Sequence, residues 1–227
     1  TSSNVSIKNN IATISSTGVY QITGTLTNGQ ISINADKEDV VKIILNNTNI
    51  TNATGPAIDI QQAKKVIIIL ADNSTNTLSD GSNYTTSDTN PNATINSQTD
   101  LTIYGLDHST LNITGQYNDS INTADGLIIK NATININSAD DGIRGKDYLV
   151  LDNNQVTIES NGDGLKSDNE EDTSQGYIHI KSGQYDITSN NGDGITAASN
   201  VTIDDGTFNI STGGGSNQTI SNSDDSF

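Results

Sequence analysis

The chain has 227 residues, 31% of them hydrophobic, with 27 acidic against 10 basic side chains and a net charge of −17. So acidic a chain lacks the basic surface that a nucleic-acid partner needs, and without cysteine it has no disulfides, thiolate metal sites or cysteine nucleophiles. Its longest apolar run, Val66 to Ala71, falls far short of the roughly 20 residues of a membrane span.

The length suits a single domain over residues 1–227. In the N-terminal half, Ile31-Ser32-Ile33, Ile43-Ile44-Leu45, Ile58-Asp59-Ile60, Ile67 to Ile69 and Leu101-Thr102-Ile103 read as strands, with Val66 to Ala71 a buried one. Two polar segments, Asp72 to Asn76 and Asp80 to Asn96, read as loops. The second carries Tyr84 and Pro91, and its length predicts an insert that overhangs one face.

From residue 119 the pattern becomes periodic. Asp119-Ser120-Ile121, Asp141-Gly142-Ile143, Asp163-Gly164-Leu165 and Asp193-Gly194-Ile195 recur at steps of 22, 22 and 30 residues, the last lengthened by a polar insert around Asn169 to Gln175. Each corner leads to a strand, such as Leu127-Ile128-Ile129 or Leu149-Val150-Leu151. A turn follows at Asn131, Asn153, Ser182 and Asp205, and then a third strand, such as Ile134 to Ile136 or Val156 to Ile158. Asn, Asp and Gly tolerate the left-handed backbone of tight turns. A β-sandwich would not keep one period through four successive units. The pattern predicts a right-handed parallel β-helix of roughly 22 residues per rung and about eight to ten rungs. A polar acidic tail follows from about residue 216, and a start at Thr1 with no leader fits a trimmed mature chain.

A solenoid stacks equivalent positions roughly 4.7–4.9 Å apart, so the repeated Asp becomes a row of carboxylates. Such carboxylates repel, and a cation between them reverses the sign. Two oxygens on opposite sides of a calcium ion lie about 4.6–5.2 Å apart, which matches the rung spacing. Asp119, Asp140, Asp141, Asp163, Asp168 and Asp193 are therefore the candidate metal ligands. Hard oxygen donors with only two histidines favour calcium over zinc or copper, and His179, alternating with Ile178 and Ile180, reads as an outward residue. Strand alternation turns Asn122, Arg144, Lys166 and Thr196 outward beside the acids. Arg144, Lys146, Lys166 and Lys181 gather the bases expected to hold a polyanion, and Tyr117, Tyr148 and Tyr177 offer sugar-stacking rings. Tyr185 shares the column of Ile134, Val156 and Phe208 and reads as core.

Asn118-Asp119, Ser138-Ala139-Asp140-Asp141-Gly142 and Gly162-Asp163-Gly164-Leu165-Lys166 resemble the calcium and base motifs of family-9 pectate lyases. The whole repetitive chain is similar to carbohydrate-binding β-helix proteins of clostridia that degrade cellulose and pectin. The resemblance implies that Asp119, Asp140 and Asp141 hold calcium and that Lys166 stands where the lyases have their proton-removing lysine. Where the lyase pattern has a further Asp, this chain has Arg144, which cannot ligate calcium but suits a bidentate contact to a uronate carboxylate. The expectation is a secreted or cell-surface bacterial protein, monomeric, that binds calcium and plant polysaccharide, an acidic one such as polygalacturonate or pectin first and cellulose in addition, with no catalytic residues. A pectate lyase using Lys166 and Arg144, and a stalk with structural calcium, are the alternatives.

Overall fold

The computed structural model describes residues 4–84 and 92–213. It is all strand and turn among these residues. Eight corner strands stack in parallel: Ile11–Ile14, Gln30–Asn34, Ile58–Gln62, Ala93–Ser97, Asp119–Thr123, Ile143–Gly145, Leu165–Ser167 and Ile195–Ala197. Val5–Lys8 closes one end of this stack as an antiparallel partner of Ile11–Ile14. The second and third strands of each rung form two further faces. Val40–Thr51 runs across both, pairing with Lys65–Leu70 at one end and Thr75–Ser79 at the other, so the two faces form one 14-stranded sheet. The chain is a parallel β-helix, with the right-handed winding that parallel crossovers adopt.

Three inward columns fill the core, and strand alternation alone creates them. Ile31, Ile58, Ile95, Ile121, Ile143 and Leu165 pair in register along the corner face. Val41, Val66, Leu101, Leu127, Leu149 and Ile178 line the second face. Ile50, Leu78, Ile113, Ile136, Ile158 and Ile187 line the third. All are buried, and each such side chain contributes roughly 1.5–3 kcal/mol relative to exposure. A low hydrophobic content suffices because each rung needs only one inward apolar residue or two from each strand.

The turns follow the sequence expectation. Asn47, Asn73, His108, Asn131 and Asn153 have φ between 52° and 55°; in the next rung Ser182 stands beside Asn153, and the positive φ, 135°, falls on Gly183, the partner of Asn154. Asn153 Nδ2 donates to Asn131 Oδ1 at 2.9 Å, one link of a side-chain ladder. Tyr185 is buried and stacks on Phe208 at 5.1 Å, as its column requires.

Three expectations change. The 22-residue step holds only from Ile121 through Ile143 to Leu165, whereas Ile31 pairs with Ile58 and Ile58 with Ile95 across longer excursions. The end of the segment from Asp80 to Asn96 is the corner strand Ala93–Ser97, because Ile95 supplies the inward residue of its rung. Likewise Thr75 and Asn76 begin a third-face strand rather than ending a loop. Pro91 and the tail from 216 lie outside the described residues.

Candidate functional site

The corner column is first of all a hydrogen-bond ladder. Asp119 Oδ1 accepts the Asp141 N–H at 3.2 Å, Asp141 Oδ1 accepts the Asp163 N–H at 2.7 Å, and Asp163 Oδ1 accepts the Asp193 N–H at 2.8 Å. One oxygen of each carboxylate thus satisfies a backbone donor that turns away from the sheet. The other oxygens meet side chains: Asn92 Nδ2 reaches Asp119 Oδ2, and Lys166 Nζ lies beside Asp141 Oδ2 and Asp163 Oδ2.

Three carboxylates converge. Asp119, Asp140 and Asp141 each bring one oxygen within 4.8 Å of the others. Asp119 and Asp141 are buried and Asp140 half-buried. Burial, and after it the charges of Asp141 and Asp140, push the Asp119 carboxyl up to about 8, with Arg144 pulling the other way. Burial also raises Asp141, against the lowering charge of Lys166. Gly162 stands on the next rung where Asp140 stands, and a Cβ there would strike Asp140 Oδ1 and Asp141 Oδ1. Hard oxygen donors, a shortage of positive charge and a neighbour without a side chain fit a divalent cation such as calcium.

The other expected ligands are not among these three converging carboxylates. Gly162 precedes Asp163 and Gly192 precedes Asp193, so neither rung has the second acid that Asp140 provides. Asp163 Oδ2 instead pairs with Lys166 Nζ at 2.9 Å, and Asp193 is exposed. Asp168 is engaged by Arg144, whose Nε lies 2.9 Å and 3.1 Å from its two oxygens and whose Nη2 lies 2.9 Å from Oδ1.

The cations face outward in register, Asn122 beside Arg144 and Arg144 beside Lys166. Lys166 Nζ lies 3.1 Å from Asp141 Oδ2 as well as 2.9 Å from Asp163. Burial opposes its charge, but the bonds and charges of Asp163 and Asp141 outweigh burial and hold the ammonium above the usual lysine range. Lys146 sits at the turn after the corner strand, its carbonyl accepting the Asn169 N–H at 3.0 Å. Lys181 is exposed on the turn before the third strand, where its N–H meets the Leu151 carbonyl. The four expected bases therefore do not form one stripe, because only Arg144 and Lys166 occupy equivalent positions. Tyr148 is half-buried over Gly126, stacks on Tyr177 at 5.7 Å and donates to Asp100 Oδ1 at 3.3 Å. Burial, then the Asp100 charge, push its hydroxyl up to about 12. His179 faces outward against Asp204 at 2.7 Å.

Two features escaped the sequence reading. Asp59, Asn96 and Asn122 face outward yet are buried. Asn96 Nδ2 donates to Asp59 Oδ1 at 3.0 Å, and Asn122 Nδ2 donates to Asn92 Oδ1 at 2.7 Å. Asn92, at the end of the long insert, also reaches Asp119 Oδ2 at 3.4 Å and so ties this covered face to the carboxylates. The sequence signal was present in the equivalent positions of Asp59, Asn96 and Asn122, but the bond from Asn92 depends on where the insert returns.

A family model described as "Carbohydrate-binding domain-containing protein" matches residues 8–227. The chain belongs to this carbohydrate-binding domain family. A relative of the same description from Acetivibrio thermocellus is 41% identical over 204 residues, spanning 88% of this chain and 70% of the relative. Among solved structures, the polysaccharide lyase-like protein from C. thermocellum, determined as a gadolinium derivative, superposes with a TM-score of 0.81 at 27% identity, covering 93% of this chain and 91% of that one. This carbohydrate-binding β-helix thus carries its three-carboxylate corner on a polysaccharide lyase-like scaffold. No helix among the described residues is long and apolar enough to cross a membrane.

Proposed function

We propose that the protein binds acidic polysaccharide of the polygalacturonate type through calcium held by Asp119, Asp140 and Asp141, and that it does so without cleaving the chain. The convergence of these carboxylates, one oxygen from each within 4.8 Å, is the observation that supports this reading. Calcium bound there would offset their charge and give a uronate carboxylate a cation to meet. Asp119 and Asp141 hold the corner backbone, so the donors are fixed before any ligand arrives. Arg144 and Lys166, both already paired, shape the positive edge beside them.

Lysis is disfavoured by the state of Lys166. A general base must be neutral to accept a proton, and without metal the Asp141 and Asp163 carboxylates beside Lys166 favour its protonated form. The same reading has the protein secreted by, or displayed on, a bacterium, where such polymers are met. The test is retention of the pure protein on polygalacturonate and on cellulose, with calcium and with EDTA, while absorbance follows unsaturated product. Calcium-dependent retention on polygalacturonate without product is expected. Retention indifferent to EDTA would remove the metal from the reading. Steady release of unsaturated uronides would replace it with a lyase, and retention on neither polymer would favour a stalk with structural calcium.

A further inference from the structure

We propose that Tyr117, seated face to face on Tyr84, is a sugar-stacking platform beside the carboxylate corner. The inference rests on the polysaccharide-binding reading above and gives it a contact independent of charge.

The two rings lie 4.1 Å apart at an interplanar angle of 12°. Tyr84 covers one face of Tyr117, and Tyr117 is still 42% exposed. Tyr84 is itself fixed: its hydroxyl donates to Asp80 Oδ2 at 2.7 Å and reaches the Ala93 carbonyl oxygen at 3.0 Å. Asp80 is only 2% exposed, and its Oδ1 accepts the Gln116 N–H at 2.6 Å. One buried carboxylate therefore anchors both the ring beneath Tyr117 and the backbone just before it.

The position of Tyr117 follows from a local insertion. The Ala139 N–H meets the Gly115 carbonyl and the Asp140 N–H meets the Asn118 carbonyl. Two residues, Gln116 and Tyr117, thus stand against the single Ala139 of the next rung, and the extra residue turns the chain outward. The ring that results immediately precedes Asn118, the rung partner of Asp140, and lies two residues before Asp119. A flat aromatic face suits the apolar C–H face of a pyranose, and a ring fixed in advance loses little freedom on binding. A pyranose polysaccharide lying along the corner would place a sugar ring on Tyr117 and a carboxylate at the acidic cluster.

The protein has seven tyrosines and no tryptophan, so the part of the tyrosine emission change that disappears in Tyr117→Leu reports on such a contact. The experiment measures retention on polygalacturonate and on cellulose, tyrosine fluorescence during titration with oligogalacturonate, and calorimetry with calcium alone. These are run for wild type, Tyr117→Phe, Tyr117→Leu, Tyr117→Ala and Asp140→Asn. Tyr117→Leu and Tyr117→Ala should weaken polygalacturonate binding about tenfold with calcium affinity unchanged, while Tyr117→Phe keeps it. Tyr117→Leu retains apolar bulk, so it carries the test if Tyr117→Ala folds poorly. Wild-type binding by Tyr117→Leu, with binding lost in Asp140→Asn, sinks the platform and spares the calcium reading. Loss of binding in Tyr117→Phe also sinks it, since the hydroxyl and not the ring face would then make the contact. A wild type retained on neither polymer overturns both.

Discussion

Arg144 Nη1 donates to Asn122 Oδ1 at 2.6 Å, and the same guanidinium grips Asp168 through Nε and Nη2. Arg144 therefore joins three successive rungs, because Asn122 precedes it on the corner face and Asp168 lies just past the end of the next corner strand, Leu165–Ser167. The planar fork makes contacts that an ammonium cannot reproduce together.

Arg144→Lys should destabilise the protein by about 1–2 kcal/mol, an order set by charged hydrogen bonds at a partly exposed site. Denaturant unfolding of Arg144→Lys, Asp168→Asn and the double variant measures it. A coupling energy near zero would mean that the pair adds nothing. Binding of polygalacturonate by Arg144→Lys, compared at equal folded fraction, separates this structural duty from recognition.

Calcium should stabilise the fold, and Asp140 is the right residue for the test. Its carboxylate belongs to the cluster, whereas the ladder runs through Asp119, Asp141 and Asp163. At about 100 times the dissociation constant, calcium would contribute about 2.7 kcal/mol. For a chain of this length that is roughly 5–10 °C in melting temperature. Asp140→Asn should erase most of the shift while leaving the metal-free melting point nearly unchanged. Coincident melts with calcium and with EDTA would mean that no such ion supports the fold.

The pH dependence carries a definite sign. The Asp119 carboxyl is raised from an ordinary 3.8 to about 8 by burial and by Asp141 and Asp140. A raised carboxyl takes up a proton on folding, so its contribution to metal-free stability is greatest in acid. That contribution declines as pH rises from about 4 to about 8. Calcium requires the ionised form, so its affinity should rise through the same window. Calorimetric titration with calcium at pH 5, 6.5 and 8 checks this, and an affinity that does not change with pH would show that Asp119 is not among the ligands.

Much of this arrangement was legible in the sequence. Period and alternation placed Ile121, Ile143 and Leu165 inside and Arg144 and Lys166 outside, since both depend only on local geometry. The doubled acid at Asp140-Asp141 marked the rung where a cluster forms. What one column does with its partners was not legible. The step between corners does not reveal that Asp163 pairs with Lys166, or that Asp168 pairs with Arg144. Those outcomes depend on side-chain reach across rungs. Lys181 was grouped with the other bases by nearness in sequence, yet its place in the rung puts it on a different turn. Asn92 was hidden because its contacts follow from an insert with no repeat to align it.

Lys166 bridges the carboxylates of two successive rungs. Its ammonium holds Asp141 Oδ2 at 3.1 Å and Asp163 Oδ2 at 2.9 Å, and the Asp141 side chain is only 7% exposed. Because its folded pKa lies above the unfolded one, the lysine's contribution is present below about pH 10 while its carboxylate partners stay ionised, and it is lost in strong alkali. Lys166→Met keeps the apolar stem and removes the charge, leaving a buried carboxylate without its cation. Metal-free Lys166→Met should therefore melt below wild type. The same ammonium competes with calcium for Asp141, so the variant should bind calcium more tightly and gain more melting temperature from it. The two effects oppose each other in sign, which distinguishes this account from simple damage to the fold. Neither protein should release unsaturated uronides. Tighter calcium binding with no product supports an ion-pairing role. Wild-type cleavage abolished in Lys166→Met, with calcium affinity unchanged, would instead make Lys166 the base of a working lyase.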